Sequence, residues 1–177
     1  MVEAIGGTNT CSDKGSYGVT LSKTGANEDV SIWKTFTGVD RIYVNTMMRP
    51  ISGFDDTLIQ IAAAFDNTTN WNMIAGLHLK LVSGSYYIGY NNGSNYGNIT
   101  DCGSTPITAG SWVKIGMDIV RNGTSTIYLN GSSACTFTAS NYSIGVFSIG
   151  SYYAASNYSI QWDTIKVDDD ALPSICP

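Results

Sequence analysis

GSWVKIGMDIVRNGTSTIYLNG, residues Gly110–Gly131, is the stretch whose reading decides the fold. Trp112–Arg121 alternates apolar and polar side chains, Asn122-Gly123 follows, and Thr126–Asn130 alternates again. Alternation with a period of two puts one oily face on each segment, as a half-buried strand requires. Asn-Gly between two such segments is the strongest short hairpin signal, because both residues tolerate the positive φ that a strand-matched turn needs. Asn130-Gly131 turns the chain once more.

The same pattern extends in both directions from this hairpin. Tyr17–Leu21 and Val30–Thr37 read as short strands. Arg41–Arg49 would set Ile42, Val44, Thr46 and Met48 on one face and Arg41, Tyr43, Asn45, Met47 and Arg49 on the other, with Pro50 ending the ladder. Leu58–Phe65 would set Ile59, Ile61, Ala63 and Phe65 against Leu58, Gln60, Ala62 and Ala64. Asp66–Asn72 is a turn, and Met73–Leu81 points Ala75, Leu77, Leu79 and Leu81 inward. Ser83-Gly84 leads into Ser85–Tyr90, Asn91–Gly103 reads as loop, and Val146–Tyr152 and Ile160–Val167 close the series. About ten strands, each with a single apolar face, need a second layer to cover them. The expectation is an all-β chain, a two-sheet antiparallel β-sandwich of jelly-roll type, forming one domain over residues 1–177.

Composition agrees. Charged residues are 13% of the chain and apolar ones 43%, which suits a packed core rather than a disordered segment. Gly, Ser, Thr, Asn and Tyr dominate, and glutamate occurs only at Glu3 and Glu28. Such residues make poor helices and good strands and turns. The net charge is −5, with nine Lys and Arg in all, which argues against a nucleic-acid partner, since phosphate binding needs clustered cations. No apolar run is long enough to insert into a membrane. Met1-Val2-Glu3 leads straight into polar sequence, with no signal peptide visible.

Cys11, Cys102, Cys135 and Cys176 are widely spaced, and the chain has one histidine, so zinc is disfavoured and two disulfides in an extracellular protein are expected. Three pairings are open. The favoured one ties the ends through Cys11–Cys176 and flanks the hairpin with Cys102–Cys135.

The hairpin at Gly110–Gly131, the strand Phe147-Ser148-Ile149-Gly150, and the closing Trp162-Asp163-Thr164-Ile165-Lys166-Val167 with Ala171-Leu172 occur in the order of concanavalin A-like lectin, glucanase and laminin-G-like domains, which the chain resembles from about Tyr17 to Leu172. That resemblance implies a jelly roll and leaves the ligand open, because one fold hosts lectins, hydrolases, lyases and adhesion domains. It also implies a structural Ca²⁺ near the closing strand, with Asp163 as a ligand. Asp168-Asp169-Asp170 supplies an alternative set of hard oxygens, with Asp168 at its head.

A weaker similarity is to alginate-lyase-type polysaccharide lyases. Asn45–Arg49 keeps the final Arg of their basic strand. Gln60-Ile61-Ala62 keeps a Gln but has Ala in place of His, and Val146–Tyr152 keeps Phe147, Gly150 and Tyr152 but not the Lys. The family's strand placement would gather Tyr43, Asn45, Met47, Arg49, Gln60, Ala62, Ser148, Gly150 and Tyr152 on one concave face. Glucanase chemistry, which needs paired carboxylates, finds no glutamate after Glu28. His78, on a face with Gly76 and Lys80, reads as a solvated residue, Trp71 as a ring in a polar turn, and Trp112 and Trp162 as core.

Sugars need flat apolar surfaces and planar hydrogen-bonding groups. Tyr43, Asn45, Arg49, Gln60, Trp71 and Tyr152 are the candidate ligand-binding residues. The expectation is a secreted or cell-surface module, part of a larger surface protein or enzyme, that recognises a polysaccharide or glycan without cleaving it. Its rivals are a uronate lyase with a tyrosine base and acid, and a structural adhesion domain. Seven Asn-x-Ser/Thr sequons, several in tight turns, read as turn composition.

Overall fold

The computed structural model of the chain describes residues 19–23, 30–53, 59–93, 99–151 and 157–169. Among them every regular element is a strand: β1 (Val19–Lys23), β2 (Val30–Val39), β3 (Arg41–Gly53), β4 (Ile59–Phe65), β5 (Met73–Val82), β6 (Ser85–Asn91), β7 (Thr100–Asp101), β8 (Ile107–Thr108), β9 (Val113–Val120), β10 (Thr124–Leu129), β11 (Ser132–Thr138), β12 (Ile144–Ser151) and β13 (Tyr158–Asp168). No helix among them is long and apolar enough to cross a membrane.

The strands form two antiparallel sheets. The six-stranded sheet runs β1-β13-β3-β9-β10-β11, and the seven-stranded sheet runs β2-β12-β4-β5-β6-β7, with β8 beside β6. The expected hairpins are present. Trp112–Arg121 becomes β9, and Asn130-Gly131, with φ of 52° and 83°, makes the two-residue turn between β10 and β11. The strands β7, β8 and β11 lie in stretches whose sequence shows no clear alternation.

Between the sheets lies one apolar cluster. Ile42, Val44 and Met48 of β3 and Ile115, Met117 and Ile119 of β9 enter it from one layer, with Trp162 of β13. Ile59, Leu77, Leu79, Ile88 and Phe147 enter it from the other. Burying each such side chain stabilises the fold by roughly 1.5–3 kcal/mol, so inward alternation on every strand is what holds the layers together.

Two expectations fail on backbone detail. Pro50 does not end β3, which continues to Gly53; Pro50 pairs with Ile160 next to a bulge in β3 itself, where Ile51 is the extra residue, and its carbonyl accepts the Gly110 N–H at 2.8 Å. A proline is tolerated there because the ladder is irregular. In β4 the alternation breaks between Gln60 and Ala62. The bulge leaves Ile59, Ile61, Ala62 and Ala64 on the core side and Ala63 and Phe65 in a separate outer cluster. Ala62 therefore faces the core, not a ligand face.

Cys102 and Cys135 form a disulfide with Cα atoms 5.2 Å apart, as the favoured pairing expects. It joins the residue after β7, at one margin of the seven-stranded sheet, to β11, at the margin of the other. Cys11 and Cys176 lie outside the described residues.

Candidate functional site

The expectation of one ligand face is overturned by the sheet order. β3, which carries Tyr43, Asn45 and Arg49, belongs to the six-stranded sheet, whereas β4 and β12, with Gln60 and Ser148, belong to the seven-stranded one. The outer faces of a sandwich point in opposite directions, so these two sets cannot touch the same sugar.

The outer face of the seven-stranded sheet holds the stronger polar constellation. Register pairs Trp33 with Ser148, Ser148 with Ala63, Ala63 with Gly76 and Gly76 with Asn91, a row across five strands. The adjacent row pairs Gln60 with His78 and His78 with Gly89. Gln60 is 8% exposed, His78 4%, and Ser148 and Asn91 are fully buried. Polar side chains at such depth are ordinarily paired. Yet Gln60 Nε2 and Ser148 Oγ make no hydrogen bond among the described residues.

His78 shares its side of β5 with Gly76 and Lys80, as the sequence implies, but it is buried rather than solvated. The sequence could not show this, because depth on an outer face depends on what surrounds the strand, not on the strand's own period. Gly76 marks the centre. An idealised Cβ there would lie 3.0 Å from Met73 Sδ, 3.1 Å from His78 Nε2 and 3.7 Å from Gln60 Oε1. A thioether, an imidazole and a carboxamide thus converge on a spot where the chain has no side chain of its own. Lys80, two residues along, is held by Asp101 at 2.6 and 2.7 Å.

Beside the polar floor stands an aromatic cluster. Trp71 meets Phe65 edge-on at 5.2 Å and Trp33 edge-on at 6.0 Å. The DNTTNWN segment, residues 66–72, fixes it. Asp66 Oδ1 accepts the N–H groups of Asn67 and Asn72, and Asn67 Oδ1 accepts those of Thr69 and Asn70. These side-chain bonds replace ladder bonds and support Trp71 at a φ of 54°. The ring is half-buried against Ala63, Phe65, Met73 and Val146.

The remaining candidates lie elsewhere. Tyr43 sits under the Arg41 guanidinium, 4.5 Å from its ring centroid, and Arg41 grips Asp118 with both Nε and Nη2. Asn45 is buried opposite Gly116 and Lys166. Arg49 donates from Nε to Gln161 Oε1 at 2.8 Å and lies over Trp112. Trp112 is 41% exposed, so it is not core as expected, whereas Trp162 is. Tyr152 lies outside the described residues.

For calcium, Asp163 and Asp168 both lie on β13 but stand apart, opposite Met47 and Tyr43, which are separated by roughly 13 Å of strand. Asp163 Oδ1 accepts the Thr164 N–H and hydroxyl. Six to eight oxygens are needed for this ion. Among the described residues no three acidic, histidine or cysteine side chains gather. Asp170 lies outside them.

No protein-family signature matches the chain, and no curated protein does. Solved structures do resemble it. A sialidase superposes with a TM-score of 0.64 at 11% identity over 86% of this chain, which spans only 15% of the sialidase's length. A heptameric SAP-like pentraxin from Limulus polyphemus matches with a TM-score of 0.60 at 16% identity, over 88% of this chain and 78% of that one. An alginate lyase from Alteromonas sp. 272 matches with a TM-score of 0.58 at 10% identity, over 88% and 89%. Likeness at such identities carries the fold alone, and what it establishes is a concanavalin A-like jelly roll.

Proposed function

We propose that the chain is an extracellular carbohydrate-binding module whose ligand rests on the outer face of the seven-stranded sheet, where it is bound and not cleaved. The observation that carries this reading is the pair of adjacent buried rows that hold Ser148 and Gln60 with His78, beside the Trp33–Phe65–Trp71 cluster. A carboxamide N–H and a hydroxyl without partners among the described residues suit sugar hydroxyls, and indole faces suit the C–H surface of a pyranose ring. The sialidase and alginate lyase folds, and the Cys102–Cys135 disulfide, support a glycan partner and an oxidising compartment.

A second reading, a lyase acting on uronate polymers, is favoured by one contact: His78 stands opposite Gln60 and supplies the imidazole that Ala62 lacks. Against it, Arg49 stands on the other sheet and Lys80 is engaged by Asp101. The two separate in one assay. In affinity gels containing polysaccharides, a binding module is retarded and leaves the polymer intact. A lyase produces an unsaturated sugar that absorbs in the ultraviolet. Retardation lost in Gln60→Ala, with no rise in absorbance, supports binding at this face; absence of retardation on every polymer and on a glycan array overturns it.

A further inference from the structure

The outer face of the six-stranded sheet carries a second group of ligand-seeking side chains. In register, Thr20 of β1 pairs with Gln161 of β13, and Gln161 with Arg49 of β3. The next row pairs Asp163 with Met47 and Met47 with Lys114 of β9. Two residues before Lys114, Trp112 comes alongside Arg49, whose guanidinium carbon lies 5.2 Å from the centre of the ring.

Three features distinguish this patch from ordinary surface. First, Arg49 is immobilised on two sides, by the Gln161 carboxamide and by the indole, so little side-chain freedom remains to be lost on binding. Among the described residues only Nε is used, which leaves the two Nη groups as a fork for an oxyanion. Second, Lys114, diagonal to Arg49 across the ladder and roughly 7 Å away by sheet geometry, has no ion pair or side-chain hydrogen bond among the described residues. The other arginines are occupied: Arg41 by Asp118 and Arg121 by Asp40. Third, Trp112 keeps 41% of its surface exposed, although an indole on a free sheet face gains nothing from water. The nearby carboxylate, Asp163, is turned onto Thr164.

From this we infer a second binding site, formed by Arg49, Gln161, Lys114 and Trp112, that takes the anionic group of an acidic sugar while the indole covers the ring. It is distinct from the Gln60 face and opens in the opposite direction. The shared chemistry is an oxyanion on a saccharide, either a uronate carboxylate or a sulfate ester.

The test is titration of the intact chain with three oligosaccharides of equal length: an oligouronate, a sulfated oligomer and a neutral one. The proposal expects at least one acidic oligomer to bind about tenfold more tightly than the neutral one, with affinity falling as salt rises. Arg49→Gln and Lys114→Gln should each remove most of that preference, and Arg49→Lys should restore only part of it, because an ammonium is not a fork. Which acidic oligomer responds identifies the group. Unfolding curves check that each variant is folded. Gln60→Ala should leave the acidic preference intact, which separates failure of this site from failure of the other. Equal affinity for acidic and neutral oligomers, or an acidic preference lost in Gln60→Ala but kept in Arg49→Gln, overturns the proposal.

Discussion

Gln60 and His78 are register partners across β4 and β5, next to the bulge that turns Ala62 into the core. Without that irregularity strict alternation would carry Ala62 and Ala64 outward with Gln60, and Ala63 and Phe65 inward. The bulge lets one strand send Gln60 outward at one end and Phe65 outward at the other, so the polar floor and the aromatic cluster share a face.

Gly76 tests whether that floor is a ligand site. In Gly76→Ala the new methyl would crowd Met73 Sδ and His78 Nε2. The thioether is the end of a flexible chain and can shift, so stability should change by less than about 1 kcal/mol. Glycan affinity should fall about tenfold, because the methyl takes the space between the imidazole and the carboxamide. Affinity unchanged in a folded variant would place the ligand elsewhere.

The Arg41–Asp118 pair should respond asymmetrically. Asp118 is buried while Arg41 is nearly half exposed, with Nη2 2.6 Å from Oδ2. The hydrogen bonds to Asp118 raise the Arg41 guanidinium above its usual range, against a smaller opposing effect of burial. Arg41→Gln strands a carboxylate away from water and should cost about 2 kcal/mol; Asp118→Asn leaves a guanidinium that solvent reaches and should cost less. Chemical denaturation of both variants gives the comparison, and equal losses would contradict the burial argument.

Tyr86 contributes to the loss of stability at alkaline pH. Burial pushes its phenol above the ordinary value near 10, because the charged form would be desolvated, and its hydroxyl faces the Gly53 carbonyl at 3.4 Å. With a folded pKa above the unfolded one, the contribution is fully present below about pH 10 and is lost as pH rises toward the folded value. Tyr86→Phe should therefore flatten the fall in stability above pH 10, read from melting temperatures across that range. An alkaline arm as steep as in the parent would assign the effect to other groups.

Removal of the Cys102–Cys135 bond should lower the melting temperature by about 10 °C. It closes a loop with a sequence separation of 33, worth roughly 3–4 kcal/mol as loss of unfolded-state entropy. The double variant Cys102→Ser/Cys135→Ser gives the measurement. A melting temperature unmoved would show that this bond adds no stability.

Strands with one oily face were legible in the sequence, as were the Asn-Gly turns, because each is a local signal; the Cys102–Cys135 bond was the favoured one of three open pairings. The grouping of strands into sheets was not. Arg49 and Gln60 lie eleven residues apart in sequence, and nothing local says that the chain changes layers between β3 and β4. The depth of His78 and the exposure of Trp112 were hidden for a related reason. Period two distinguishes inner from outer faces but carries no information on how far an outer face is covered. Pro50 misled because the bulge at Ile51 beside it exists only in the pairing with β13, whose residues come more than a hundred positions later.

Among the described residues the covalent tie between the β7 margin and β11 binds the two layers along one side, as a book is bound. One long edge is the spine, and the opposite edge, where β1 and β2 end their sheets, is the fore-edge. Fraying, protease entry and amide exchange should begin there and travel inward toward the stitched side.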